Sequence, residues 1–445
     1  MNTPICDFVE KYANNDNLRF HMPGHKGVGT HGEAYDITEI SGADSLYEAS
    51  GIIAESEKHA SEFYQADTFY STEGSSLSIR AMMYLLTIHA REMGKKPVIL
   101  AGRNAHKAFI SAAAILDFDI EWLFATEGSY LSCKTSADDV ERYLSNTESL
   151  PTAVYLTSPD YLGNMSDIER IAKLCHDRGI LLAVDNAHGA YLNFLPTSMH
   201  PIALGADLCC DSAHKTLPAL TGAAYLHISK NAPDAFSKMA KKALSLFGST
   251  SPSYLILESL DRVNGYIANG YSDRLKVFID SIHDLKRDLM AIGFDFIGDE
   301  PMKLTISTKK YGYTGTELAE YLVKNNVIPE FSDPDYLVLM LTPENGVEAL
   351  HRIKSVLSDL PRKEAITITP PTMLPSSSVM SVREAILSPE ETVPVDEALG
   401  RVLASVTVGC PPAVPIVVSG EAINESSIEA FKYYGFETCS VVKKQ

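Results

Sequence analysis

The segment CCDSAHKTLPALTGAAYLH, residues 209–227, places a histidine–lysine pair between two apolar, strand-like runs. Lysine is strongly hydrated and is seldom found in such surroundings without a partner or a function. One interpretation of Lys215 is a loop lysine whose ammonium group reaches water. The other interpretation, a reactive amine held in a site, depends on which residues the rest of the chain brings beside it.

Hydrophobic runs on both sides of this segment alternate with helical patterns. Strands that are apolar on both faces and separated by helices are typical of a mostly parallel sheet covered on both sides. Ligands of such sheets bind beyond the carboxyl ends of the strands, where Ser158 and Asp185 fall. The predicted strands are residues 96–101, 119–125, 152–158, 179–185 and 223–229, and the predicted helices are residues 75–92, 104–116, 137–146 and 166–178.

The rest of the chain predicts further domains. Residues 253–292 have a long helical pattern interrupted near Gly265 and Gly270, and residues 367–378 have the proline and serine content of a linker. We therefore predict an N-terminal arm at 1–65, a large domain at 66–250, a bridging helix with a small α+β domain at 251–365, and a C-terminal segment at 366–445 that completes the small domain and the site entrance.

Composition narrows the class of protein. The chain has 445 residues, 45% of them hydrophobic, and a formal net charge of −19, which argues against nucleic-acid binding and is compatible with a cationic ligand. No apolar run approaches the ~20 residues that span a membrane, and no signal peptide is apparent. The seven cysteines show no zinc-site spacing. We expect reduced thiols, no metal, no membrane partner and a cytoplasmic location.

Two motifs could bind the charged groups of a cofactor. Gly74, Ser75 and Ser76 precede a predicted helix, where free N–H groups and hydroxyls bind phosphate or merely cap the helix. Asp185 ends a buried strand, where a carboxylate is costly unless a cation such as a protonated pyridine nitrogen meets it.

Two histidines and the lysine complete the pattern. His106 could stack on a flat ligand or cap a helix, and His188 could serve the site or be an ordinary loop histidine. A lysine near a cationic or desolvating site has a lowered pKa and attacks aldehydes. Pyridoxal 5′-phosphate needs its phosphate held, its pyridinium paired, its ring sandwiched and its aldehyde bound to lysine, so together these motifs predict this cofactor.

At these motifs the sequence resembles the fold-type-I pyridoxal-phosphate-dependent ornithine/lysine/arginine decarboxylases, in their short bacterial form without an N-terminal wing domain. The resemblance implies an α/β fold, with an aspartate-aminotransferase-like large domain containing a mostly parallel seven-stranded sheet and a smaller α+β C-terminal domain. The matching motifs are FHMPGHKG (20–27), RNAHK (103–107), TSPDYLG (157–163), DNAHGAY (185–191), SAHKTLPALTGAAYLH (212–227), MSVREA (380–385) and CPPAVPIVVSGE (410–421).

The resemblance also implies roles for individual residues. Lys215 would bind the cofactor covalently, Asp185 would pair with the pyridinium, and His106 would stack on the ring. Glu421 would meet the distal cation of the substrate, with Asp44 as the next candidate. The remaining implied site residues are His188 and His214 beside the cofactor, and Gly74, Ser75, Ser76 and Ser212 around its phosphate. Ser158 is predicted to contact the cofactor, and His25, in the entrance segment, to contact the substrate.

The implied activity is decarboxylation of lysine, arginine or ornithine in polyamine biosynthesis, by a homodimer with shared active sites or a higher oligomer. Aminotransferase or lyase chemistry on the same fold, or a non-catalytic binding role, are the alternatives. Five departures from the family pattern leave the cofactor prediction intact and the substrate open. They are Glu73 for Asn, Asn186 for Glu, Gly222 for Gln, Ala413 for Gly and Ser419 for Pro.

Overall fold

The computed structural model describes residues 1–124, 133–372, 374–406 and 414–444. Its α-helices are α1 (Pro4–Ala13), α2 (Ile52–Tyr64), α3 (Ser75–Glu92), α4 (Lys107–Leu116), α5 (Ala137–Asn146), α6 (Ile168–His176), α7 (Ala213–Thr216), α8 (Asp234–Ser245), α9 (Tyr254–Ala268), α10 (Tyr271–Ala291), α11 (Gly315–Lys324), α12 (Gly346–Ser358), α13 (Val382–Leu387) and α14 (Glu425–Tyr433).

The strands are β1 (Ala66–Ser71), β2 (Val98–Gly102), β3 (Asp119–Leu123), β4 (Ala153–Thr157), β5 (Leu181–Asp185), β6 (Leu208–Asp211), β7 (Ala224–Ser229), β8 (Asp295–Ile297), β9 (Lys303–Ser307), β10 (Phe331–Ser332), β11 (Tyr336–Met340), β12 (Glu390–Pro394) and β13 (Thr438–Val442). None of the helices in the described part of the chain combines the length and apolar character that crossing a bilayer requires.

A seven-stranded sheet in the order β1-β7-β6-β5-β4-β2-β3 confirms the predicted large-domain architecture. Strands β5 and β6 run parallel, with Asp185 opposite Cys210, and β7 pairs antiparallel with both β6 and β1. Every residue of β6, and all but the first of β5, is buried. Because parallel strands end at the same sheet edge, the residues that follow β5 and β6 are neighbours.

By its internal contacts the chain divides into two compact units, one of residues 1–97, 151–155 and 168–273 and the other of residues 98–150, 156–167 and 274–445. The first unit contains β5, β6 and β7. The second contains the four-stranded sheet β10-β11-β9-β8 and the β12–β13 pair, whose core includes Phe431 and Val441. The separate small sheet confirms the predicted C-terminal α+β domain, whereas the predicted domain boundaries stay predictions.

Individual elements agree with the prediction to different degrees. Helices α3 and α5 have the predicted bounds, and α5 begins with a capping box between Ser136 and Asp139. Strands β1 and β6 were not predicted. The predicted helix at 253–292 breaks at Gly270, where φ is +76°, and Gly265 lies inside α9. Ala125, Met373 and the Ala413 departure lie outside the described residues.

Candidate active site

Lys215 lies in a short turn between β6 and β7. Strand β6 ends at Asp211, and the single helical turn α7 then carries His214 and Lys215. The Lys215 amine Nζ lies 3.2 Å from Nε2 of His188. The ring of His214 turns to the backbone instead, because its Nδ1 lies 2.9 Å from the carbonyl oxygen of Ala223. The fold therefore brings Lys215 and His188 together, and the roles of Lys215, His188 and His214 stay predictions.

Asp185, the last residue of β5, is 2% exposed and accepts hydrogen bonds from protein groups on both oxygens. Oδ1 accepts from the backbone N–H of Ala187 at 3.1 Å and from the Cys210 thiol at 3.6 Å, and Oδ2 accepts from the Tyr155 hydroxyl at 3.3 Å. Burial and the Asp185 charge raise the pKa of Tyr155 and of Cys210 well above their usual values, so both groups stay protonated donors. Both carboxylate oxygens of Asp185 are thus held by donors of the protein at the sheet edge.

The predicted phosphate-binding residues converge at the start of α3. The Ser212 hydroxyl donates to Oγ of Ser75 at 2.9 Å. Gly74 precedes the helix with φ +73°, a left-handed conformation that favours glycine. Glu73 is exposed, and its carboxylate accepts from the backbone N–H of Ser249 at 2.5 Å. The Glu73 side chain thus pairs with the backbone of Ser249 and not with the Gly74–Ser75 turn.

Asp211 is a buried carboxylate that the sequence analysis did not single out. It is fully buried and lies 3.0 Å from Nε2 of His200, 3.1 Å from Nε2 of His227 and 2.7 Å from Nδ2 of Asn186. Burial alone would raise the pKa of Asp211, but the two histidines lower it below its usual value. Asp211 ends the buried strand β6 as Asp185 ends β5, but β6 was not predicted, so this signal was not recognised.

The Asp211 cluster accounts for one departure from the family pattern. Asn186 donates to Asp211, whereas the glutamate usual at this position would place a second carboxylate against it. His200, Cys209 and Asp211 also offer potential metal ligand atoms within 4.8 Å of one another. In this structure His200 and Cys209 both contact Asp211 at hydrogen-bonding distance, so these three side chains are joined by hydrogen bonds.

Gly222 is another departure from the family pattern, and it lies in the turn between α7 and β7. Its carbonyl oxygen accepts from the Gly74 N–H at 2.8 Å. Its φ is +100°, and a Cβ there would lie 2.9 Å from the Thr72 carbonyl oxygen. Glutamine would therefore be strained at this position in the present backbone.

His106 and Ser158 belong to the second unit. His106 is the exposed N-cap of α4, and its Nδ1 accepts from the Ala108 N–H at 3.1 Å. The buried Ser158 hydroxyl accepts from the Ser166 N–H at 3.1 Å. Their predicted contacts with the cofactor stay predictions, and the structure gives His106 the capping role considered as its alternative.

Glu421 forms a bidentate ion pair with Arg103, which sequence analysis did not predict. Nη1 and Nη2 of Arg103 lie 2.7 and 2.6 Å from Oε1 and Oε2 of Glu421, and both side chains are buried. The Val418 N–H donates to the same carboxylate at 2.8 Å. The guanidinium carbon lies 5.0 Å from the ring centre of Trp122. Glu421, which was predicted to bind the distal cation of the substrate, is therefore already paired with a cation of the protein, Arg103.

Asp44 and His25 also have protein partners. The Asp44 carboxylate accepts from backbone N–H groups at the start of α2, including Gly51 at 2.8 Å and Ile53 at 3.1 Å. Burial would raise the pKa of Asp44, but hydrogen bonds from N–H groups such as that of Ser50 lower it. His25 lies 3.1 Å from Asp36. This geometry gives Asp44 a helix-anchoring role, and substrate binding by either residue stays a prediction.

The residues of the first unit fit pyridoxal phosphate chemically. A lysine amine, a buried carboxylate and two hydroxyls at a helix N-terminus match the aldehyde, the pyridinium and the phosphate. One buried polar atom beside them, Oδ1 of Asn186, has no hydrogen-bond partner in the described structure.

Family models match most of the chain. The model of the Orn/Lys/Arg decarboxylase major domain matches residues 3–296, and that of the C-terminal domain matches residues 363–440. The chain belongs to the Orn/Lys/Arg decarboxylase family. This membership confirms the predicted family and the predicted enzyme class, a decarboxylase.

Relatives of the family support this membership over nearly the whole chain. An arginine decarboxylase of Halalkalibacterium halodurans is 28% identical, over 96% of this chain and 92% of its own length. The inducible lysine decarboxylase of Escherichia coli is 22% identical, over 98% of this chain and 78% of its own length. Relatives named for two different substrates, arginine and lysine, thus match this chain.

Solved structures show the same fold. The crystal structure of a Francisella novicida lysine decarboxylase superposes with a TM-score of 0.81 at 17% identity, covering 99% of this chain and 81% of that one. A NifS-like protein superposes with a TM-score of 0.53 at 15% identity, over 71% of this chain and 92% of its own. These superpositions confirm the predicted fold class.

Proposed function

We propose that this protein decarboxylates a basic L-amino acid, lysine, arginine or ornithine, with pyridoxal 5′-phosphate as its cofactor. The products would be CO₂ and cadaverine, agmatine or putrescine, amines of polyamine biosynthesis. One observation carries the proposal: Lys215, His188 and Asp185 group at the ends of neighbouring parallel strands in an Orn/Lys/Arg decarboxylase chain. We further propose a cytoplasmic location, which agrees with six described cysteines that form no disulfide.

When bound, pyridoxal phosphate supplies an electron-accepting pyridinium for the pair released as the carboxylate leaves. The residues of the chain bind and orient the cofactor and the substrate, and they transfer protons. The negative charge of Asp185 holds a proton on a ring nitrogen, and the α3 N-terminus with Ser75 and Ser212 favours a phosphate. His188, 3.2 Å from the Lys215 amine, can accept or return a proton at Nε2.

A substrate comparison tests this function directly. Purified protein loaded with pyridoxal phosphate is incubated separately with lysine, ornithine and arginine, and CO₂ and the amine products are both quantified. We expect equal amounts of CO₂ and one amine from at least one of the three. A keto acid without CO₂ would instead indicate an aminotransferase. No turnover with the cofactor spectroscopically bound would indicate a non-catalytic protein.

Recognition of the substrate cation by Glu421 is the next part of the proposal. Replacing Glu421 with glutamine should lower kcat/KM for the best basic substrate by ~30-fold or more, because a lost desolvated charge pair typically costs ~2–5 kcal/mol. The neutral analogue norleucine should react poorly with wild type and be affected far less. Steady-state kinetics on both substrates measures this difference.

The buried Arg103 pair supplies the control for this experiment. Arg103→Gln removes the same ion pair but leaves the Glu421 carboxylate in place. If Glu421 only neutralises Arg103, both variants should lose stability, on the order of 3–5 kcal/mol, and should slow all substrates alike. That outcome would assign the substrate cation to another carboxylate, and Asp44→Asn would be tested next.

Association into a homodimer with shared sites, or a higher oligomer, is also proposed. The N-terminal segment that contains FHMPGHKG exposes four large apolar side chains, which suits burial against another subunit. They are Leu18, Phe20, Met22 and Val28.

Mixed dimers test whether sites are shared. Lys215→Ala and Glu421→Gln chains, each impaired alone, should recover activity when co-expressed, because one site of a mixed dimer then has both native residues. Because one of the two sites in each mixed dimer is native, recovery in purified heterodimers is limited to about half of wild type. Activity is measured on tag-purified heterodimers. Heterodimers that form without recovery would show that each site is built from one chain.

A further inference from the structure

A cavity of about 370 Å³ in the first unit lies outside the lysine–aspartate site. Its walls come from one face of α9, from Tyr35, and from residues 218–220, which follow Lys215 closely in the chain. Pro218, Leu220 and Leu255 make much of the lining apolar. The cavity therefore offers space and an aliphatic surface for a small ligand.

Glu258 gives this cavity a charged group that the protein leaves incompletely paired. The residue is 4% exposed, and its buried Oε1 has no hydrogen-bond partner in the described structure. Its other oxygen, Oε2, lies 3.9 Å from Nη2 of Arg262. A buried carboxylate oxygen without a donor is unfavourable, so a ligand that donates to it gains binding energy.

The charges around Glu258 favour a cation as that ligand. Arg262 is shared with Glu10 of α1, 3.4 Å away, so two carboxylates and one guanidinium leave one net negative charge. Asp36 and Asp261 add negative charge nearby. Burial, followed by these carboxylates, raises the pKa of Glu258 to about 7 against the lowering effect of Arg262. A bound cation would relieve this unfavourable ionisation.

We propose that this cavity is a second binding site, for an aliphatic primary amine or diamine whose ammonium group pairs with Glu258. The hydrocarbon chain of the amine lies against Leu220 and Leu255. The choice of this ligand class deepens the proposed function, whose products are amines of this kind, but the cavity and its unpaired oxygen do not depend on that function.

The cavity is connected to the predicted cofactor site through one short segment. Leu220 donates its N–H to the Ser259 hydroxyl on α9 at 3.1 Å. Two residues later, Gly222 accepts from Gly74 at the start of α3. An amine in the cavity thus contacts the segment that joins Lys215 to the phosphate-binding turn. We expect occupancy to alter the rate of decarboxylation.

Calorimetric titration of the holoenzyme with 1,5-diaminopentane tests the site, with 1,5-pentanediol as the uncharged control ligand. Borohydride reduction first fixes the cofactor on its lysine, and wild type is compared with Glu258→Gln. We expect the variant to bind the diamine about 10-fold or more weakly, since a hydrogen bond to a charged group contributes about 1.5–3 kcal/mol. Glu169→Gln, the matched control, removes an exposed charge on α6 that does not line the cavity, and this variant should bind within about 3-fold of wild type.

Proton release gives a readout that a structural role of Glu258 would not produce. Titrations in buffers of different ionisation enthalpy at pH 7 should show net proton release on diamine binding, because burial raises the pKa of Glu258 to about 7 and a bound ammonium favours its ionised form. Leu220→Lys, at a half-exposed position, places a competing ammonium beside the cavity and should also weaken binding. It serves as the second variant if Glu258→Gln does not fold.

The results distinguish this inference from the proposed function. Undiminished binding by both variants, or equal binding of the diol, would overturn the second site even in an active decarboxylase. Glu258-dependent binding by a protein that releases no CO₂ would support the site and contradict the proposed function.

Discussion

Replacing Lys215 with alanine is expected to lower decarboxylation by about 10³-fold or more, because no other group would bind the cofactor aldehyde. Steady-state kinetics with the best basic amino acid measures the loss. Borohydride reduction of wild-type holoenzyme, followed by peptide mapping, should find the reduced cofactor on Lys215.

The exposed Lys238 of α8 provides a matched control. Lys238→Ala removes an equivalent amine outside the site and should keep both activity and the cofactor absorption band. Full activity in Lys215→Ala, or the reduced cofactor on a different lysine, would contradict the assignment.

Replacing Asp185 with asparagine should lower kcat by about 10²–10³-fold while cofactor binding persists. The amide keeps the size of the side chain but removes the charge that holds the pyridinium proton. The fold should tolerate the change, because the Tyr155 hydroxyl that now donates to Asp185 can instead accept from the amide. Single-turnover kinetics and the absorption spectrum together separate chemistry from binding.

Tyr155→Phe is the control for Asp185. It removes one hydrogen bond to the carboxylate but leaves the charge, so the expected loss is about 10-fold or less, given ~0.5–1.5 kcal/mol per bond. An Asp185→Asn enzyme with wild-type turnover, or a Tyr155→Phe enzyme impaired as strongly as Asp185→Asn, would argue against a role for the charge itself.

Elements with strong local signals were predictable. Helix α3 has a glycine before its first residue, and α5 has a capping box, so both were predicted with their observed bounds. Strands β1 and β6 were missed because ADTFYS and LCCD are short and gain their order from pairing with β7. The sequence marked Gly265 and Gly270 as interruptions of the long helix, and the helix breaks only at Gly270, whose φ is +76°.

The groups of the candidate site were predictable to the extent that strand ends and turns place them. Lys215 and His188 were both expected beside the cofactor, and they lie 3.2 Å apart. Ser75 and Ser212 were both expected at its phosphate, and they share a hydrogen bond. Their roles toward the cofactor stay predictions. The partners of Glu421 were not predictable, because Arg103 is 318 residues away in the chain.

The sequence by itself determined the family motifs, the alternation of strands and helices, and the residue types that suit pyridoxal phosphate. Each depends on neighbours within a few residues, so local pattern is sufficient. Only the tertiary structure decided that Arg103 neutralises Glu421, that two histidines surround Asp211, and that Glu258 keeps an unpaired oxygen beside a cavity. A buried charge is satisfied by whatever donors the folded chain brings within hydrogen-bonding distance, and those donors come from segments far apart in sequence.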